Sequence, residues 1–139
     1  MKTPESIDTR ELIENSYYYF IKTLSILAKP PAEQCADMGD YNVAFELRDG
    51  GLSVDDLITQ EIVKFTDDEL EGMKELSLAL HELSGEALKG GRTREDNLKG
   101  MNNPGWQLVR ETAKKLIVTL GNRTLENLKY FQNQGIEKR

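Results

Sequence analysis

Carboxylates are the side chains of this sequence that could do chemistry together. Asp67, Glu71 and Glu75 recur at every fourth residue, which sets all three on one helical face. Asp37, Asp40, Asn42 and Glu46 bring further oxygens close together around Gly39. Two converging acids could divide acid and base roles, as in sugar hydrolysis, and an oxygen-rich loop could hold calcium. The second pattern does not close, because the glutamate that a calcium-binding loop needs at its twelfth position is missing. For the first, nothing in the sequence singles out one pair of acids.

Other reactive groups are isolated. His81 is the only histidine; Glu82 follows it, but no second histidine completes a zinc-binding helix. Late in a helix, it reads as a surface group facing the negative helix end. Cys35 is the only cysteine, so no intramolecular disulfide can form. It has no base beside it in sequence and reads as a small buried apolar residue, not a nucleophile. The run GEALKGGRT from Gly85 to Thr93 lacks the spacing of a phosphate-binding loop. Asn122-Arg123-Thr124 matches a glycosylation acceptor, which has meaning only in a secreted chain. No catalytic residue, metal or cofactor is expected.

The acids carry a different signal, which lies in their distribution. Residues 1–32 hold four acids and four bases, residues 33–86 fifteen acids and three bases, and residues 87–139 five acids and eleven bases. The net charge of −6 therefore hides segments of 0, −12 and +6. Like charges four apart on a helix destabilise it by roughly 0.2–0.5 kcal/mol per pair. The positive N-terminal end of a helix offsets that for Asp67 but not for Glu75. Such a cost is tolerated for solubility, or for a partner of opposite charge. The acidic middle third argues against direct nucleic-acid binding there, since phosphate would be repelled, while the basic C-terminal third leaves it open. Tyr41 and Asn42, set beside Asp40, Glu46 and Asp49, have the mixed aromatic and polar character of an interface centre.

Helices must position these groups. The 139 residues, 38% hydrophobic and 30% charged, suit one soluble domain spanning 1–139. Ile13, Tyr17, Phe20, Leu24 and Leu27 share one face of a first helix capped by Asp8 or Thr9 and ended by Pro30-Pro31, with Tyr18 the more exposed aromatic. Pro31 opens a second helical region, broken at Gly39, in which Val43, Ala44 and Leu47 face inward and Gly50-Gly51 forms the stop. Ser53 caps a short turn, and Ile58 to Phe65 could run extended. Thr66 and Glu69 form a capping box ahead of an inward stripe of Leu70, Met73, Leu76, Leu80 and Leu83. Residues 84–103 read as a glycine-punctuated loop with room for a short helix. Asn103-Pro104 starts a helix lined by Trp106, Val109, Ala113, Leu116 and Leu120 and ended by Gly121. Thr124 caps a last helix with Leu125, Leu128 and Phe131 inward, and residues 132–139 fray. The expected architecture is an all-α bundle of about five to six helices, with one irregular or extended segment near 58–65. No apolar run is long enough to cross a membrane. The polar, acidic start is unlike a secretory signal, so a cytoplasmic location is expected.

Two stretches carry a resemblance. YNVAFELRDGG, with its N-V-A-x-E-L helix, and NNPGWQLVRETAKKL, which opens P-x-W-x-x-x-R, together span about a fifth of the chain. They resemble small helical immunity proteins of bacterial polymorphic-toxin systems, in particular those of contact-dependent growth inhibition. The resemblance implies a small, cytoplasmic, non-catalytic protein that binds a cognate toxin domain, often a basic nuclease, and blocks its active site or substrate surface. An acidic face would speed such an encounter, and a few buried anchors would hold it. On that reading Asp40, Tyr41, Glu46, Asp49, Asp55 and Asp56 form the contact surface, and Asp67, Glu71 and Glu75 an adjoining rim. A helical adaptor, marked by exposed apolar grooves, and a small carboxylate enzyme, marked by acids of raised pKa in a pocket, are the alternatives.

Overall fold

The computed structural model describes residues 4–136, with side chains described from Thr9 onward. It is all-α. Eight helices follow one another among the described residues: α1 (Pro4–Leu27), α2 (Pro31–Met38), α3 (Val43–Gly51), α4 (Val54–Thr59), α5 (Asp67–His81), α6 (Arg94–Met101), α7 (Gly105–Thr119) and α8 (Gly121–Asn133). The count exceeds five to six because α2, α3, α4 and α6 are each nine residues or fewer.

α5 and α7 make the most extensive helix pair, and α1 packs against α7, α3 and α8. Their shared core holds Phe20, Leu24, Leu27, Leu47, Met73, Leu76, Leu80, Trp106, Leu116 and Leu120, all essentially inaccessible. Fully burying each large apolar side chain contributes roughly 1.5–3 kcal/mol. The 3.6-residue periodicity marked most of this set, because each helix buries one stripe. Ile13 and Leu70 sit at its margin, half-buried.

Helix ends follow local chemistry. Thr66 and Glu69 close the expected capping box on α5, with Glu69 Oε1 accepting from the Thr66 N–H at 2.8 Å and Thr66 Oγ1 from the Glu69 N–H at 3.2 Å. Gly39 ends α2 with φ +84°, the left-handed conformation that a residue without Cβ adopts freely. The Gly39 and Asp40 N–H groups then donate to the carbonyls of Ala36 and Cys35, a Schellman end. α8 ends in the same way, its Gly135 and Ile136 N–H groups donating to Gln132 and Phe131. Residues 132–136 are thus hydrogen-bonded where fraying was expected, and residues 137–139 lie outside the described residues.

Several expectations are corrected. α1 already includes residues 4–9, so Thr9 lies within it, and the Asp8 side chain is outside the described residues. Tyr19, at 59% exposed, faces out, while Tyr18 packs edge-on against Phe131. α3 includes Gly50 and Gly51 instead of stopping before them. Ile58 and Thr59 close α4, and residues 60–65 are irregular, not extended: the Gln60 side chain accepts from the Ile62 and Val63 N–H groups and donates to the Leu57 and Val63 carbonyls. α8 starts at Gly121, so Thr124 lies within it and hydrogen-bonds the Tyr17 hydroxyl at 2.9 Å; Leu125 is exposed. α7 starts at Gly105 with Pro104 at its N-cap, one residue later than expected, and Asn103 Oδ1 accepts from the Gly105 N–H at 3.0 Å just ahead of it.

The region 84–103 is half loop and half helix. Thr93 Oγ1 caps α6 by accepting from the Asp96 N–H. Trp106 Nε1 donates to the Ala87 carbonyl at 2.7 Å and anchors the loop. Asn97, fully buried, accepts from the Val43 and Gly91 N–H groups and donates to the Gly91 and Thr93 carbonyls. One side chain thereby clamps the start of α3 to the loop before α6.

Candidate functional site

The nine sequence-nominated residues fall on two parts of the fold. Asp40 and Tyr41 occupy the turn between α2 and α3, and Glu46 and Asp49 lie on the exposed side of α3. Asp55 and Asp56 sit in the first turn of α4, and Asp67, Glu71 and Glu75 line one side of α5. Tyr41 is 52% exposed and is not packed into the bundle; Phe45, which sequence reasoning passed over, is equally open.

Asp40 and Asp55 are bound within the chain. Both Nε and Nη2 of Arg94 donate to the Asp40 carboxylate. The guanidinium holds that carboxyl below its usual range. Asp55 accepts from the Ser77 hydroxyl at 2.5 Å and contacts His81 Nε2 at 2.9 Å. Partial burial alone would raise the Asp55 carboxyl, but these two partners bring it below its ordinary value. The carboxylate sits between Ser77 and His81, so the imidazole is not placed to take a proton from the hydroxyl, as nucleophile activation requires. The two carboxyls with resolved shifts are both lowered, opposite to what a general acid needs. Burial pushes the Cys35 thiol up, away from the reactive thiolate.

The other seven nominated residues are open, and α5 brings three of them into one relief. Asp67, Glu71 and Glu75 line a depression of about 440 Å³ together with Leu70, Lys74 and Leu78. A second, of about 580 Å³, lies between α4 and α5 over Ile58, Thr59, Lys74, Ser77 and Leu78, with Asp55 and His81 at its edge. A third shares Ile58 and Leu70 and adds Glu61, Lys64 and Phe65. The three adjoin one another through the shared side chains Ile58, Leu70 and Leu78, and together they make a grooved surface with a largely acidic rim. Leu78 is 59% exposed. It was legible in sequence as the leucine of Leu76-Ser-Leu78-Ala-Leu80 that falls off the inward stripe.

Of the fifteen acids between residues 33 and 86, ten are exposed and make no ion pair with any described residue, among them Glu46, Asp49, Asp56, Asp67, Glu71 and Glu75. The basic C-terminal third neutralises little of this. Arg94 serves Asp40, Lys89 serves Glu86, and Arg123 reaches Glu69 at 3.7 Å. Arg110 is spent internally. It is nearly buried, and it donates to Gln34 Oε1, Gln107 Oε1 and the Met101 carbonyl, while Gln34 donates to the Ile26 and Leu27 carbonyls.

No cluster of metal-ligating side chains occurs among the described residues, and no described helix is long and apolar enough to cross a membrane. No protein-family model, curated protein or solved structure matches the chain.

Proposed function

We propose that this chain is an immunity protein of a contact-dependent growth inhibition or related polymorphic-toxin system, acting in the cytoplasm by binding a basic toxin domain, a nuclease foremost. The observation that carries the reading is the set of ten exposed, unpaired acids concentrated in one third of the sequence. Such a field attracts a basic partner over about a Debye length and raises the encounter rate at low salt. Occupying the positive surface by which a nuclease holds phosphate would itself neutralise it.

Co-expression with the toxin-domain reading frame encoded beside this gene tests the reading. Protection of the host and co-purification of the two chains are expected. A toxin that kills regardless and does not co-purify rules the proposal out.

The exposed Leu78, flanked by the half-buried Ile58 and Leu70, favours a second reading, a helical adaptor without a toxin partner. The same co-expression separates them, since an adaptor gives no protection.

A further inference from the structure

The geometry points to the α4–α5 groove as a docking site for a basic amphipathic helix of the partner, with two or three apolar side chains seated over Ile58, Leu70 and Leu78. This deepens the binding role proposed above and rests on it for the sign of the partner's charge.

Three features of the groove select that occupant. The first is its shape. One depression lies between α4 and the middle of α5, and the adjoining one continues along the outer face of α5, so the ridge of another helix can lie along α5. Strand addition is disfavoured, because no strand exists among the described residues to offer an edge. The second is its length. Leu70 and Leu78 are eight residues apart on α5, a rise of about 12 Å, which matches anchors at i, i+4 and i+7 on an opposing helix. The third is its charge. Asp67, Glu71 and Glu75 stand along one side and Glu61 at the end, none with an ion pair among the described residues, against Lys64 and Lys74. Lysine or arginine flanking the anchors would find carboxylates within reach, and an acidic helix would be repelled.

The groove can be separated from the α2–α3 surface. Tyr41 and Phe45 are also exposed aromatics, but only the α4–α5 surface combines an apolar floor spanning two helices with a rim of free acids.

The test uses the full chain and synthetic helical peptides, so that it does not depend on knowing the toxin. One peptide carries leucines at i, i+4 and i+7 among lysines. A second replaces the lysines with glutamate, and a third replaces the leucines with serine. Binding is followed by fluorescence anisotropy, and the contact surface by amide chemical-shift changes. The lysine–leucine peptide is expected to bind, to shift amides around Ile58, Leu70 and Leu78, and to bind about tenfold more weakly to Leu78→Asp. Phe45→Asp, on α3, is expected to bind as the parent does. Both altered residues are exposed, and an unchanged amide spectrum elsewhere verifies the fold.

The groove assignment is overturned by equal binding to Leu78→Asp, by shifts confined to α2 and α3, by equal binding of the serine or glutamate peptide, or by no binding at all. Self-association of the chain that Leu78→Asp abolishes would overturn it in favour of a second copy as occupant. If the peptide docks as expected but co-expression gives no protection, the groove stands and the toxin reading fails. If co-expression protects while the peptide result is negative, the reverse holds.

Discussion

Arg94 reaches back across 54 residues of chain to the carboxylate of Asp40, with Nη2 2.7 Å from Oδ2. Asp40 has φ +57° and Asn42 φ +44°, so the turn before α3 sits twice in the left-handed region, where aspartate and asparagine are tolerated better than most residues. The ion pair and the Asn42 N–H bond to the Gly91 carbonyl at 2.9 Å hold that turn against the loop before α6. Asp40, one of the residues nominated for partner contact, is thus also a structural latch.

Asp40→Asn is accordingly expected to lower the melting temperature at pH 7 and to leave association with a basic partner nearly unchanged. The folded carboxyl is depressed below its unfolded value of about 3.9. Its contribution is therefore present above that pH and is lost as pH falls through the lower folded value. The gap between parent and variant should narrow progressively in melts taken at pH values below about 3.9. A gap that stays constant from pH 7 downwards would show that the pair does not act through charge.

Asn97 satisfies four backbone groups from full burial. Truncation strands at least the Val43 and Gly91 N–H groups, and each buried unsatisfied donor costs about 1–3 kcal/mol. Asn97→Ala should lose roughly 3 kcal/mol in urea unfolding. A loss below about 1 kcal/mol would mean that water replaces the amide.

Gly100 lets α6 lie directly on the preceding loop. A Cβ there would stand 2.0 Å from the Lys89 carbonyl oxygen, and backbone cannot step aside as a side-chain end can. Gly100→Ala should destabilise by about 1–3 kcal/mol or more. Gly121, at the start of α8, has nothing within 4 Å of such a Cβ, so Gly121→Ala serves as the control and should be neutral or slightly stabilising. Equal melting temperatures for the two variants would contradict the close approach.

Local chemistry explains what could be read beforehand. The Thr66–Glu69 box and the stripe from Met73 to Leu83 depend on neighbours within a turn or two, and sequence spacing displays them. Choosing between Tyr18 and Tyr19 depended on Phe131, which lies far along the chain and covers Tyr18. Thr124 looked like a cap because its bond to Tyr17, across 107 residues, leaves no local trace. The same limit governed the site. Glu71 and Glu75 were legible as a free acidic face, whereas the partners that occupy Asp40 and Asp55 come from α6 and α5. Thr93 was the missed local signal, standing three residues before Asp96 like a cap.

Glu71 offers the sharpest separation between a solvated face and a binding face. It stands four residues from both Asp67 and Glu75, so the parent carries two repulsive pairs on α5. Glu71→Lys turns both into attractions, a gain of roughly 1 kcal/mol in stability at low salt. If the face serves only solubility, that gain comes without a functional penalty. If it receives a basic helix, the same substitution reverses charge at the middle of the groove rim. The lysine–leucine peptide, or the toxin domain recovered by co-expression, should then associate several-fold more slowly, with a shallower dependence on ionic strength. Lys74→Glu should do the opposite, because Lys74 is the cation shared by the two largest depressions of the groove. It should speed association while changing stability little or unfavourably. Stopped-flow association at two salt concentrations, paired with urea unfolding of the same three proteins, measures both quantities. Stability and association moving in opposite directions across Glu71→Lys, parent and Lys74→Glu is the expected pattern. Association rates that do not differ would assign the acids of α5 to solvation alone.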